Sequence, residues 1–237
     1  MKKTFIAFAL FAVSALAQRV ETATFLAALS PANEVPAIGG YDARGTALLY
    51  AHVLRNAQDQ IVSGSVDFVV LYTFPGEATV TGLHIHSGAA GVNAPVTINT
   101  GIAAGPASVG IAAPFRGQVV RQAEVSSGDM AGVATLRGLF ANPAGFYVNM
   151  HTSTYPGGII RGQVMAAERV VQVARLSTAN EVPAITTVTA SGVGSIEAVR
   201  AYEGGRLAAG VVIFDVDYQV PGDAILRACT FTTGRPG

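Results

Sequence analysis

The chain has 237 residues with equal numbers of basic and acidic side chains, and only 13% of its residues are charged, against roughly 25% in ordinary globular proteins. Half of the residues are apolar, so the chain can bury a core, but without a basic patch to neutralise phosphates we expect no nucleic-acid partner. Its single cysteine, Cys229, rules out an internal disulfide and is predicted to be a small buried apolar residue.

The N-terminus has the three parts of an export signal. Two lysines precede an apolar run over residues 6–17, and this run ends in the small residues of an Ala-x-Ala site. We therefore predict a signal peptide over residues 1–17, cleavage between Ala17 and Gln18, and a secreted or periplasmic protein. The alternative is an uncleaved membrane anchor, although the run is shorter than the roughly 20 residues of a membrane span. No later segment is predicted to cross a bilayer as a helix.

Short alternating segments between glycine and proline signals predict an all-β protein, an antiparallel sandwich or barrel. One segment differs, because residues 126–130 can cap a short helix that runs to Phe140. Residues 87–115 are rich in Gly, Ala and Pro and are predicted to form surface loops around one short strand. The predicted strands are 25–30, 45–54, 60–72, 79–86, 95–99, 116–124, 145–152 and 158–166.

An internal repeat divides the chain. Residues 29–38 (LSPANEVPAI) recur as residues 176–185 (LSTANEVPAI), and nine of the ten positions are identical. Further on, every second residue agrees between the copies, which is the period of a strand with one buried face. We therefore expect Val66, Phe68, Val70 and Tyr72 to point into the core.

The second copy covers residues 173–237 and lacks counterparts of residues 92–165. Half of a sheet protein would leave strand edges unpaired. The half-copy could therefore pack on the first domain, pair with another chain to form a homo-oligomer, or be poorly ordered, and a truncated sequence would look the same.

Two of the four histidines, His84 and His86, alternate along one predicted strand and so leave it on the same face, roughly 6.5–7 Å apart. Both imidazoles can then reach one metal ion at about 2.0–2.1 Å. His151, on the predicted face of Asn149, would complete a three-ligand site, and His52 stays open as a fourth ligand. Imidazole ligands suit copper or zinc rather than calcium or magnesium. The alternative is that these histidines hydrogen-bond to backbone groups and hold loops in place.

The second copy keeps the Asn-Glu-Val-Pro element without the histidines. His84 and His86 fall on Thr230 and Thr232, and His52 falls on Val199. Either the imidazoles are dispensable for the fold and serve another purpose in the first copy, or the second copy is decaying.

Three stretches carry a family resemblance: residues 32–36 (ANEVP), residues 83–88 (LHIHSG), and residues 146–153 (FYVNMHTS) leading into residues 156–164 (PGGIIRGQV). In this order they resemble the CHRD domain, a module repeated in chordin and found in many exported bacterial proteins. The resemblance implies an all-β, extracytoplasmic module that is complete over residues 25–166 and repeated in its front half over 173–237. It implies little about activity.

A second resemblance concerns the histidine strand. Residues 82–86 (GLHIH) are similar to the copper-ligand strand of Cu,Zn superoxide dismutases, a β-sandwich family with an arginine near its copper that Arg161 would imitate. The chain shows no bridging histidine, no zinc-ligand loop and no disulfide pair, so the resemblance does not extend to dismutase activity.

Two other motifs are predicted to be structural. Glu34, with its counterpart Glu181, is expected to accept backbone N–H bonds at a turn. Arg116 and Arg161 each begin an Arg-Gly-Gln-Val sequence and are predicted to start strands with the arginine at the rim.

The first interpretation is a non-enzymatic, exported binding or structural module whose ligand is a protein, a cell-surface component or a matrix component. It names no catalytic residue, because the sequence holds neither an ordered nucleophile triad nor a phosphate-binding glycine motif. The alternative is a copper- or zinc-binding protein of the cell envelope that uses His84, His86 and His151 for metal buffering or redox chemistry.

Overall fold

The structure is a computed structural model that describes residues 18–222, and within that range it contains twelve β-strands and one α-helix. The predicted signal peptide and Cys229 lie outside the described residues. The prediction of an antiparallel all-β fold with one short helix is confirmed. No helix in the described range is long and apolar enough to cross a membrane.

The described chain divides into two compact units, one formed by residues 18–167 with 201–209 and the other by residues 168–200 with 210–222. The helix of the first unit is α1 (Met130–Ala141), and its strands in chain order are β1 (Arg19–Leu29), β2 (Arg44–Arg55), β3 (Ile61–Thr73), β4 (Ala78–His86), β5 (Val96–Asn99), β6 (Val109–Ile111), β7 (Arg116–Val125), β8 (Tyr147–Thr152) and β9 (Ile160–Gln163).

Two antiparallel sheets form the sandwich of the first unit. One has the order β1-β2-β3-β7, and the start of β10 (Met165–Ser177) pairs with β1 through Met165 and Ala166. The other has the order β5-β4-β8-β9, with β6 also pairing to β4. Pairing of β4 with β8 sets the site, because it lays two of the family-resemblance motifs side by side.

The core lies between the sheets, as the period-two pattern predicts. Val66, Phe68 and Val70 are fully buried, and Tyr72 packs half-buried against the same cluster. The opposite sheet contributes alternate residues of β4 and β8, such as Leu83 and Met150, to that cluster. Since strand side chains alternate, the neighbours of these apolar residues on β4 and β8 must project from the other face of the sheet.

The strand boundaries differ from the prediction in two places. The predicted strand 158–166 is two elements, because β9 ends at Gln163 and β10 begins at Met165. Residues 87–115 hold two short strands, β5 and β6, rather than one. The predicted helix is confirmed, and the Asp129 carboxylate accepts the Gly132 N–H at its first turn (2.9 Å).

The second unit repeats the local structure of the first. Its strands β10, β11 (Ser191–Glu203) and β12 (Arg206–Gln219) are hydrogen-bonded neighbours. Ser177 Oγ accepts the Ala179 N–H (3.1 Å), as Ser30 Oγ accepts the Ala32 N–H (3.2 Å) in the first unit. The sequence repeat therefore folds into the same capped turn twice.

The apolar face of β12 differs in exposure from that of β3. Val212 and Tyr218, which correspond to Val66 and Tyr72, are 52% and 56% exposed. The alternating pattern is thus retained in the second copy, but burial of this face is a property of the first unit.

Candidate metal centre

Three histidines meet on the face of β4 and β8 that points away from the core. His84 and His86 alternate on β4, and His151 lies on β8 opposite Gly82. The ring centroids are separated by 4.9 Å for His84 and His151, 5.7 Å for His84 and His86, and 5.8 Å for His86 and His151. One nitrogen of each ring lies within 4.8 Å of the other two. The structure thus brings together the three histidines that the sequence selected, which we call the histidine trio.

Backbone carbonyls orient two rings of the trio. His86 Nδ1 lies 2.9 Å from the carbonyl oxygen of Ala94, and His151 Nδ1 lies 2.9 Å from that of Pro156. A carbonyl oxygen only accepts, so both Nδ1 atoms donate, and each Nε2 then carries the lone pair of a neutral ring. Such a bond from the outer nitrogen fixes the tautomer that leaves the inner nitrogen free to ligate.

The inward nitrogens have no hydrogen-bond partner among the described residues. His84 Nδ1, His86 Nε2 and His151 Nε2 are all buried and unpaired. Buried polar atoms are almost always satisfied in native proteins, so three such atoms on neighbouring rings need an explanation. For three nitrogens at about 2.05 Å from one ion, the separations would be about 3.5 Å, so a pair at the 4.8 Å limit would have to close by about 1.3 Å.

Burial keeps the trio neutral. Burial, with a smaller contribution from repulsion by His151 and His86, lowers the pKa of His84 to about 4. Burial also lowers the pKa of His86 and of His151, against the opposing effect of their backbone hydrogen bonds. At neutral pH each ring is therefore neutral and carries one lone pair, so a metal ion would not have to displace the proton of an imidazolium.

Gly82 provides the space into which the rings converge. A Cβ atom built there would lie 2.7 Å from Cε1 of His84, closer than real Cβ atoms approach, and 3.2 Å from Cδ2 of His151, which is a tight contact. In the second copy the corresponding residue is Ala228, four and two residues before Thr232 and Thr230. The copy without the histidines therefore also carries a residue with a Cβ atom at this position.

An aromatic stack extends from the trio to a buried arginine. The Tyr147 ring lies parallel to His86, with centroids 4.6 Å apart and planes 4° apart. On its other face, the guanidinium carbon of Arg161 lies 3.4 Å from the ring centroid. Arg161 is only 1% exposed, so its predicted place at the rim is wrong, whereas Arg116 is exposed as predicted.

Loop carbonyls explain why Arg161 is buried. Its guanidinium donates to the carbonyl oxygens of Val92 (2.7 Å) and Ala89 (3.1 Å) and to Asn93 Oδ1 (3.2 Å). Residues 89–94 thereby cover this face of the sheet, and the same loop holds the Ala94 carbonyl against His86.

Glu34 is also buried on this face, and its carboxylate accepts a bond from Asn149 Nδ2 (3.3 Å) rather than from backbone N–H groups as predicted. Burial raises its pKa to about 7, although the bond from Asn149 and the charge of Arg161 oppose that shift. Its counterpart Glu181 is exposed. All three family-resemblance motifs therefore meet in one buried polar cluster.

The structure places His52 on β2, in the other sheet. Its Nε2 lies 3.1 Å from Asp67 Oδ2 and its Nδ1 lies 2.8 Å from Thr22 Oγ1. The group of described residues with metal-ligand geometry contains only the trio, so His52 is not brought into it.

Sequence reasoning missed the residues that shape the site rather than form it. Gly82 carried a usable signal, because it precedes His84 by two residues on the same strand face and is alanine in the second copy. The carbonyls of Ala94 and Pro156 carried none, because every residue type presents the same backbone oxygen.

These features define an all-β sandwich protein with a buried cluster of three neutral imidazoles. The family model of the CHRD domain matches residues 25–164, more than half of the chain, and the chain belongs to the CHRD domain family. No curated protein and no solved structure matches it. Membership confirms the resemblance found in the sequence and defines a β module whose ligand is not known.

Proposed function

We propose that this protein is an exported metal-binding protein, and that its first unit holds one copper or zinc ion between His84 Nδ1, His86 Nε2 and His151 Nε2. The observation that supports the proposal most strongly is the set of three buried, unpaired nitrogens, each on a neutral ring. A bound ion would satisfy all three at once, and imidazole donors favour copper and zinc.

Hydrogen bonding alone explains the trio less well. In the alternative hypothesis, the histidines hold loops in place through hydrogen bonds to the backbone. His86 and His151 do make such bonds through Nδ1. Those bonds use one nitrogen of each ring and turn the other inward, where burial without a partner costs free energy. Loop anchoring and ligation are therefore complementary here.

Export is part of the proposal because of residues 1–17, which lie outside the described residues. The first strand begins at Arg19, immediately after the proposed cleavage site, so cleavage before Gln18 would leave the described fold whole. The mass of the mature protein would show this cleavage.

Replacing His84 by alanine is expected to abolish stoichiometric binding of Cu(II) and Zn(II), because two imidazoles remain where three converge. The full mature chain should bind one ion by calorimetric titration and by metal analysis after dialysis. His52→Ala is the matched control, since it removes a histidine from the other sheet and should leave both affinity and stoichiometry unchanged. Equal binding by wild type and His84→Ala would contradict the proposal, as would its loss in His52→Ala alone.

A further inference from the structure

We propose that the trio is a copper site that favours Cu(I) over Cu(II), and that the Arg161–Tyr147 stack is the device that sets this preference. The inference rests on the proposed metal-binding function and deepens it. It follows from the donor set, the burial of the ligating atoms and the position of one buried cation.

The donor set is neutral and three-coordinate. The group with ligand geometry in residues 18–222 consists of three imidazoles, with no carboxylate or thiolate. Glu34, the buried carboxylate on the same face, is bonded to Asn149 instead. Zn²⁺ sites in proteins are almost always four-coordinate, so a zinc ion here would need a water or another molecule to complete its shell. Cu(I) has a filled d shell and is satisfied by three donors.

Burial works in the same direction. The three inward nitrogens have essentially no solvent exposure. A buried ion loses hydration in proportion to the square of its charge, so a site without anionic ligands penalises a divalent ion more than a monovalent one. Copper can lower its charge by accepting one electron, which zinc cannot do.

Arg161 adds a fixed positive charge beside the site. Its side chain is buried, and its hydrogen bonds go to the neutral oxygens of Ala89, Val92 and Asn93, which leave its charge in place. Tyr147 lies between this guanidinium and His86, in contact with both.

The charge lies close to the trio, because the Tyr147 ring contacts the Arg161 guanidinium (3.4 Å to the ring centroid) as well as the His86 ring (4.6 Å between centroids). The field of this charge opposes the second positive charge of Cu(II). Glu34 is the carboxylate that faces Arg161, and burial raises its pKa to about 7, so its compensation of the arginine is incomplete at neutral pH.

The test compares the affinities of the full mature chain for the two copper ions. Cu(I) is titrated without oxygen against a chromophoric chelator, and Cu(II) is titrated against a competing ligand of known affinity. We expect the dissociation constant for Cu(I) to be lower by roughly tenfold or more. In Arg161→Met, which keeps an apolar stem over Tyr147 and loses the charge, we expect this preference to fall by roughly tenfold.

Two variants control the comparison. Arg161→Lys keeps the charge and should keep most of the preference. Arg55, on β2 of the other sheet, also lies over an aromatic ring, that of Phe140. Arg55→Met removes this arginine and should leave the preference unchanged.

If the wild type binds Cu(II) at least as tightly as Cu(I), the inference is overturned, whether or not Arg161→Met folds. A folded Arg161→Met with an unchanged preference would overturn the role of the arginine. In both cases a metal is bound, so the proposed function stands. Failure of the wild type to bind either copper ion would overturn both together.

Discussion

Gly82→Ala is expected to reduce metal affinity by roughly 10- to 100-fold without changing any ligand. The new methyl group would lie 2.7 Å from Cε1 of His84, and that ring has to rotate because the backbone of β4 is held on both sides. Rotation carries His84 Nδ1 away from the other two nitrogens. Calorimetric titration of wild type and variant with the same ion measures the loss.

The variant should otherwise be folded normally. Alanine in a strand restricts the unfolded chain more than glycine does, so we expect the free energy of unfolding of the metal-free protein to change by less than about 1 kcal/mol. Gly110→Ala is the matched control, because Gly110 lies in β6 with open space at its Cβ position. If Gly82→Ala bound metal as tightly as Gly110→Ala, the claim that Gly82 leaves room for the three rings to converge would be wrong.

The metal-free protein is expected to contain two opposing pH-dependent contributions to stability. His84 has a pKa of about 4 when folded against 6.5 ordinarily, so between these values the unfolded chain binds a proton that the folded chain does not. Its contribution is complete above pH 6.5 and is lost as the pH falls toward 4, by about 2 kcal/mol at pH 5. His86 and His151 act in the same direction.

Glu34 acts in the opposite direction. Its pKa is about 7 when folded against 4.5 ordinarily, so between these values the folded chain holds a proton that the unfolded chain gives up. Its contribution is present below pH 4.5 and is lost as the pH rises through 7, by up to about 3 kcal/mol.

Glu34→Gln separates the two contributions. The variant should be more stable than wild type at pH 8, and its free energy of unfolding should fall more steeply between pH 7 and pH 5. Denaturant unfolding at several pH values, with a chelator present, measures both. Glu181→Gln is the matched control, because the same residue of the repeated element is exposed there. Parallel pH profiles for wild type and Glu34→Gln would show that the buried carboxyl does not carry this penalty.

Strand periodicity explains how much of the site could be predicted. Alternation places His84 and His86 on one face and Leu83 and Ile85 on the other, and the structure confirms both assignments. A period of two is a local property that needs no knowledge of pairing. The same alternation places His151 on the Asn149 face of its strand, but local sequence does not show that this strand pairs with β4.

The sequence does not show which strands pair, and therefore which sheet each strand joins. His52 has the same residue type as the trio, yet β2 lies in the other sheet, where Asp67 and Thr22 engage its ring. Arg161 resembles Arg116 in its local sequence, but only Arg161 is covered by the loop at residues 89–94. Carbonyl oxygens of this loop accept hydrogen bonds from the guanidinium and so satisfy it when it is buried. Long-range loop contacts, rather than local sequence, decide such cases.

The central claim is tested most directly by X-ray absorption at the copper edge of the full mature chain loaded with one equivalent of copper. The account predicts three nitrogen ligands at about 2.0 Å, with the outer-shell scattering of imidazole rings, and loss of this signal in His84→Ala. A first shell that contains sulfur, a spectrum without the outer-shell scattering of imidazole, or an unchanged imidazole signal in His84→Ala would contradict it.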